Sequence, residues 1–200
     1  MQQSFDTLKI AQLLGKKVFS AHELAEVAGY TGDPKSISVW VKRLMDKDLV
    51  MQVKRGVYCL VGQELSNFEY SNVLYAPSYI SLDSALNYYG ILTQVPLSVT
   101  SVTLKRAKTI VHRDVAYDYF HVNPGYFWGF EVVNNVLVAD PEKSLIDKVY
   151  FESFNKDAET GFADELIFDN ISKEKLVDYA GRIKNKAFSG LMGRIYAKFR

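Results

Sequence analysis

Apolar positions in the first third of the chain recur at helical spacing in three short runs and then give way to alternation. Leu8, Ile10, Ala11, Leu13 and Leu14 form the first run, which Gly15 and the pair Lys16-Lys17 end. A short β-like piece, Val18-Phe19, leads to Ser20, placed to cap a second helix over Ala21–Ala28. Glu23 lies three residues on, as a capping box requires. Gly29 closes that helix, because the residue after a helix end often takes a positive φ that only glycine adopts without cost. After Tyr30-Thr31-Gly32, Asp33 caps a third helix with Pro34 in its first turn, running to about Lys47. In it Ile37, Trp40, Val41, Leu44 and Met45 fall at i, i+3, i+4, i+7 and i+8, a stripe that demands burial. The opposite side presents Lys35, Ser36, Ser38, Val39, Lys42, Arg43 and Asp46. Leu49–Val53 and Val57–Val61 then flank Lys54-Arg55-Gly56, which predicts a β-hairpin with a basic tip.

Residues 63–73 read as a polar linker between this unit, residues 1–62, and a second domain over residues 74–200. There Ser81 is placed to cap a helix that Gly90 stops, with Leu82, Ala85, Leu86 and Tyr89 on its apolar face. Ser98–Lys108 alternates as a half-buried strand does, Val99, Ser101 and Thr103 on one side and Thr100, Val102 and Leu104 on the other. Tyr117–Val122 and Phe127–Val133 are aromatic and β-branched runs, and Asn134-Asn135 turns the second into Val136–Ala139 as a hairpin. Asp140-Pro141-Glu142 opens a helix with Leu145, Ile146, Val149 and Tyr150 as its apolar positions. Ile171–Lys186 and Ser189–Phe199 predict two more helices. The expected fold class is α+β: an N-terminal winged helix-turn-helix followed by a mixed α+β C-terminal domain ending in helices.

Composition changes this picture little. With 48% hydrophobic and 24% charged residues, the 200-residue chain has apolar side chains enough for two small cores. The uncharged stretch Tyr70–Leu82 carries Asn, Ser and Pro and is too short to cross a bilayer, and no apolar run nears the roughly 20 residues a membrane helix needs. Met1–Asp6 carries neither the basic start nor the apolar core of a signal peptide, so no membrane partner is expected. The single cysteine, Cys59, excludes an internal disulfide and a cysteine-based zinc site, and the expected location is the cytoplasm.

Charge changes it more. A formal net charge of +1 argues at first against a nucleic-acid partner. Residues 1–62, however, hold nine basic and six acidic side chains, a net +3, whereas the remainder holds 15 and 17, a net −2. Arg182, Lys184, Lys186, Arg194, Lys198 and Arg200 follow one another with no acid between them. Positive charge thus gathers at both ends of the chain, a distribution compatible with phosphate binding.

On a winged helix-turn-helix, the third helix suits the major groove, whose width admits a helix and whose base edges its side chains reach. The expected DNA-binding residues are Lys35, Ser36, Ser38, Val39, Lys42 and Arg43 on that helix, with Lys54 and Arg55 of the wing on the adjacent backbone. Arg194, Lys198 and Arg200 could extend the phosphate contacts. The alternative is a protein-interaction module that binds a toxin or other partner directly, with the winged helix not used on DNA.

No catalytic residue, cofactor or metal is expected. His22, His112 and His121 share no helical i,i+4 spacing, and no glycine-rich phosphate loop is present. Asp140, Glu142 and Lys143 are the residue types of a metal nuclease, but they crowd a helix start, where capping accounts for them.

The segment Tyr75–Ile91, followed by Val95-Pro96 and Thr100, resembles the signature of the AbiEi antitoxin family of bacterial abortive-infection, type IV toxin–antitoxin systems. Val138–Asp147 is similar to that family's second recurring segment, a strand running into a Pro-Glu-Lys helix, and the winged helix ending Arg55-Gly56-Val57-Tyr58 is similar to its N-terminal domain. The resemblance spans roughly residues 5–150 and implies a repressor that binds double-stranded DNA at the operator of its own operon. It also implies a genetic partner, a nucleotidyltransferase toxin countered without a stable complex, with the antitoxin effect in the C-terminal domain. Lys35, Lys42, Arg43, Lys54 and Arg55 are the DNA contacts it implies here.

Overall fold

A computed structural model describes residues 6–155 and 161–199; the side chains of Thr7 and Leu8 lie outside the described set, as does Arg200. The chain divides into two compact units, Met1–Ser66 and Asn67–Arg200.

Unit 1 runs α1 (Thr7–Leu14), β1 (Val18–Phe19), α2 (Ala21–Val27), α3 (Pro34–Met45), β2 (Val50–Lys54) and β3 (Val57–Leu60). The capping box forms: the Glu23 N–H donates to Ser20 Oγ at 3.2 Å and the Ser20 N–H to Glu23 Oε2 at 2.7 Å. Gly29 takes a φ of +67°, and the N–H groups of Gly29 and Tyr30 reach back to the carbonyls of Glu26 and Ala25, the pairing of a Schellman motif. Tyr30 then stacks on Trp40, ring centroids 4.6 Å apart, which ties the turn between α2 and α3 to α3 itself. Asp33 caps α3, accepting from the Ser36 N–H at 2.8 Å. α3 ends at Met45, two residues before Lys47, because Asp48 enters the left-handed region at φ +53° and turns the chain into β2. β1 and β2 both pair antiparallel with β3. Ile10, Leu24, Ile37, Val41, Leu44, Val50 and Leu60 are buried in the core, and Trp40 and Met45 pack against it half-buried, so the helical stripe faces inward with three of its five residues fully buried.

Unit 2 holds a six-stranded mixed sheet in the order β6-β7-β5-β4-β9-β8. Its elements are α4 (Asn67–Leu74), β4 (Ser78–Ile80), α5 (Leu82–Tyr88), β5 (Val99–Thr103), β6 (Lys108–His112), β7 (Val115–His121), β8 (Phe130–Val133), β9 (Val136–Ala139), α6 (Pro141–Glu152), α7 (Lys173–Gly181) and α8 (Lys186–Tyr196). The parallel pairs are β5 with β7 and β4 with β9. α4 covers one face, bonding Ser101 and Tyr119, while α5 and α6 cover the other, bonding Thr100 and packing Phe151 on Phe120.

The structure departs from the sequence pattern at several places. Most of the linker expected at 63–73 is α4, whose Glu69, Tyr70 and Ser71 are buried. The segment looks polar because its polar groups find partners on the sheet: Ser71 Oγ lies 2.7 Å from Ser101 Oγ, the Tyr119 hydroxyl donates to the Ser71 carbonyl, and the Leu137 N–H donates to Asn72 Oδ1. β5 is buried on both faces, not half-buried, because it lies inside the sheet between β4 and β7. Ser81 sits at the N-cap of α5 but makes no capping bond; its hydroxyl donates to Asp147, and Thr100 Oγ1 accepts the Ser84 N–H instead. Asn185 caps α8, accepting from the Phe188 N–H, so the helices expected at 171–186 and 189–199 become Lys173–Gly181 and Lys186–Tyr196.

Candidate nucleic-acid interface

α3 presents its non-core side as one arc. At about 100° per residue, Lys35, Ser38, Val39, Lys42, Arg43 and Asp46 share it, and all six are exposed. Lys35, Lys42 and Arg43 form no ion pair among the described residues. Ser38 is exposed but partly committed, its hydroxyl donating to the Pro34 carbonyl at 2.8 Å, so only its lone pairs are offered outward. Ser36 stands apart. It is half-buried on the flank toward the turn, where a Cβ added to Gly32 would come 3.2 Å from Ser36 Cβ, so this closeness favours a glycine at position 32.

The β2–β3 hairpin carries the two cations expected at a wing. Lys54 pairs with Val57 across a two-residue turn, Arg55-Gly56, in which Gly56 takes φ +78°. The register shifts between Gln52 and Lys54. Arg55 is exposed and Lys54 half-buried. On α2, His22 is exposed and Glu23 is paired with Lys16, whose bond holds the Glu23 carboxyl down at about 2.

Unit 2 treats its charges differently. Lys143 and Asp147, one turn apart on α6, form a buried ion pair. Asp147 Oδ2 accepts from the hydroxyls of Tyr79 at 3.0 Å and Ser81 at 2.7 Å, and Lys143 Nζ donates to the Tyr79 hydroxyl at 2.9 Å. Trp128 and Gly129 close over the lysine: its Nζ is 4.8 Å from the indole centroid, and a Cβ on Gly129, at φ +73°, would sit 2.9 Å from Lys143 Cγ. Burial pushes the Asp147 carboxyl up, against the pull of Lys143 and the two hydroxyls, and burial beside Asp147 pushes the Tyr79 phenol well up. Both Asp147 oxygens are occupied and the lysine is enclosed, so the group joins β4 to α6 and offers no surface to a ligand.

The residues at the start of α6 are likewise engaged. Asp140 accepts from the Lys143 N–H as its cap and from the Tyr179 hydroxyl, and Glu142 accepts from the Ser172 N–H at 2.7 Å while Lys175 bridges both acids. The expected C-terminal cations are partly spoken for: Lys198 pairs with Asp164 and Arg182 with Asp178. Arg194 is exposed, and Arg200 lies outside the described residues. The helical pattern of α6 pointed to Leu145, Ile146 and Val149 and missed Lys143 and Asp147. Their i,i+4 opposite charges were the only signal, and such pairs are ordinarily read as surface.

No family model and no curated protein sequence matches the chain. Among solved structures, the crystal structure of the RV2827C protein from Mycobacterium tuberculosis is similar, with a TM-score of 0.60 over 94% of this chain and 74% of that one at 15% identity. At that identity the likeness is one of fold.

Proposed function

We propose that the chain is a DNA-binding transcriptional regulator in which unit 1 works as a winged helix-turn-helix. α3 enters the major groove with Lys35, Ser38, Val39, Lys42 and Arg43, and Lys54 and Arg55 of the wing meet the flanking phosphates. The observation that carries the reading is the solvent arc of α3, where three cations stand without an ion pair among the described residues on a helix whose other side is core. A surface helix meant only for solubility commonly intersperses both signs of charge; this one gathers cations and holds a single acid, Asp46, at its end.

Through the resemblance of Tyr75–Ile91 and Val138–Asp147 to AbiEi antitoxins, the reading extends to a bacterial antitoxin. Such a protein represses its own operon and is paired genetically with a nucleotidyltransferase toxin that it counters without stable complex formation. It acts in the cytoplasm, binds no cofactor and catalyses nothing. No helix among the described residues is long and apolar enough to cross a membrane.

One observation favours the second reading, a protein-interaction module. Val95 and Leu97 are 80% and 103% exposed on a loop that Asn87 pins by donating to the Leu92 and Gln94 carbonyls. The two readings part in one experiment: mobility shift of the DNA upstream of its own gene, together with co-purification from cells expressing the adjacent gene. Retarded DNA and no co-purified protein is the expected result. A stable complex with no retarded DNA overturns the proposal.

A further inference from the structure

Val39 is the one apolar side chain on the solvent arc of α3, and its position is not an extension of the core. It is 46% exposed, whereas Ile37 and Val41 on either side are buried and Trp40 is stacked on Tyr30. It belongs to none of the apolar residues packed on the unit 1 core. A β-branched residue at a solvated helix position gives up helix propensity and gains no packing in return. Its neighbours one turn away are Lys35 at i−4, Lys42 at i+3 and Arg43 at i+4, all exposed and none in an ion pair among the described residues. The result is an apolar spot ringed by cations.

We infer that Val39 reads a 5-methyl group in the major groove, so that the bound site carries a thymine opposite the middle of α3. This rests on the proposed DNA reading and deepens it. The ligand that fits the spot must be anionic around its rim and apolar at one point. Duplex DNA meets both conditions: its phosphates flank the groove, and thymine alone among the four bases projects a methyl group there. Arg43 and Lys42 lie within the same turn, where their donors suit the O6 and N7 acceptors of guanine, so the readout is of a thymine close to a guanine.

The test uses the full chain and duplexes it selects from a randomised library. In a selected site each thymine is replaced singly by deoxyuridine, which removes the methyl group and nothing else. Affinity should fall about fourfold at one position, the worth of one buried methyl, and be unchanged elsewhere. Val39→Ala, which keeps or improves helix propensity, should lower affinity for the thymine duplex by about the same factor. It should also abolish the deoxyuridine effect and leave the salt dependence of binding intact. A selected duplex that no deoxyuridine weakens, or a deoxyuridine effect that persists in Val39→Ala, overturns this inference alone. A chain that selects no duplex overturns the DNA reading and this inference with it.

Discussion

Unit 1 keeps Lys35, Lys42, Arg43 and Arg55 in solvent, whereas unit 2 encloses Lys143 beneath Trp128 and Gly129 and neutralises it with Asp147. Each arrangement is costly in its own currency. Like charges left unpaired on one helix face repel, and an ion pair taken out of water loses hydration that its mutual attraction only partly replaces. The second cost is offset within the fold, through the hydroxyls of Tyr79 and Ser81; under the proposed function the first is offset when a polyanion binds. The contrast separates exposed, unpaired charge from charge that fixes an architecture, and it is the basis on which recognition is proposed for unit 1.

The sharpest way to break the contrast is to unpair the buried charge. Lys143→Ala leaves Asp147 uncompensated and should destabilise unit 2 by about 3–5 kcal/mol, read from denaturant or thermal unfolding. Replacing both partners, Lys143→Met with Asp147→Leu, should recover most of that loss. If Lys143→Ala is nearly silent, the pair is not the buried joint described. At the exposed face the same kind of change should act on binding and leave stability alone. Arg43→Ala should cost about 1–3 kcal/mol of discrimination at one base pair, measured by competition between single-substitution duplexes. Smaller again is the helix cap: Ser20→Ala removes the capping box before α2 and should cost about 1 kcal/mol, confined to unit 1.

Acid and alkali should divide the units as well. Burial pushes the Tyr119 and Tyr89 phenols from 10.0 to about 12, so the folded form holds protons that the unfolded chain releases. That stability is complete below pH 10 and is lost as pH rises through this window. Glu23 is the opposite case: its Lys16 and Ser20 partners lower it from 4.5 to about 2, so its contribution is present above pH 4.5 and lost as pH falls toward 2. Being largely exposed, that pair is screened by salt and its effect is small. Tyrosine absorbance and far-ultraviolet dichroism across both limbs would read the two windows separately.

Unit 1 was legible because its signals are local. Ser20, Gly29, Asp33 and Pro34 act within a turn of where they stand, and a stripe such as Ile37-Val41-Leu44 declares its own burial. Unit 2 was legible only in parts. β8 and β9 announced themselves through Asn134-Asn135, whose φ values of +50° and +65° suit a tight hairpin. β6 did not, because its hairpin to β7 turns through Arg113-Asp114, a pair with no strong turn signature. α4 has the sequence of a linker because Ser71 and Asn72 are satisfied by residues 30 and 65 positions away. The candidate interface was legible by face but not by residue: periodicity grouped Ser36 with the exposed cations, and only the packing against the Gly32 turn sets it aside.

The salt dependence of DNA binding by the full chain tests the proposed role of unit 1 most directly. Measured between low and moderate salt, the slope of log affinity against log salt should fall by about 0.9 for each phosphate contact removed, hence by about 1.8 in the Lys54→Ala, Arg55→Ala double variant. Asp118→Asn, a change in unit 2 at a residue outside the proposed contact set, should leave the slope as it is. A slope identical in the wing variant and the parent chain, or no measurable binding by the parent, would contradict the assignment of the cationic face of unit 1 to DNA.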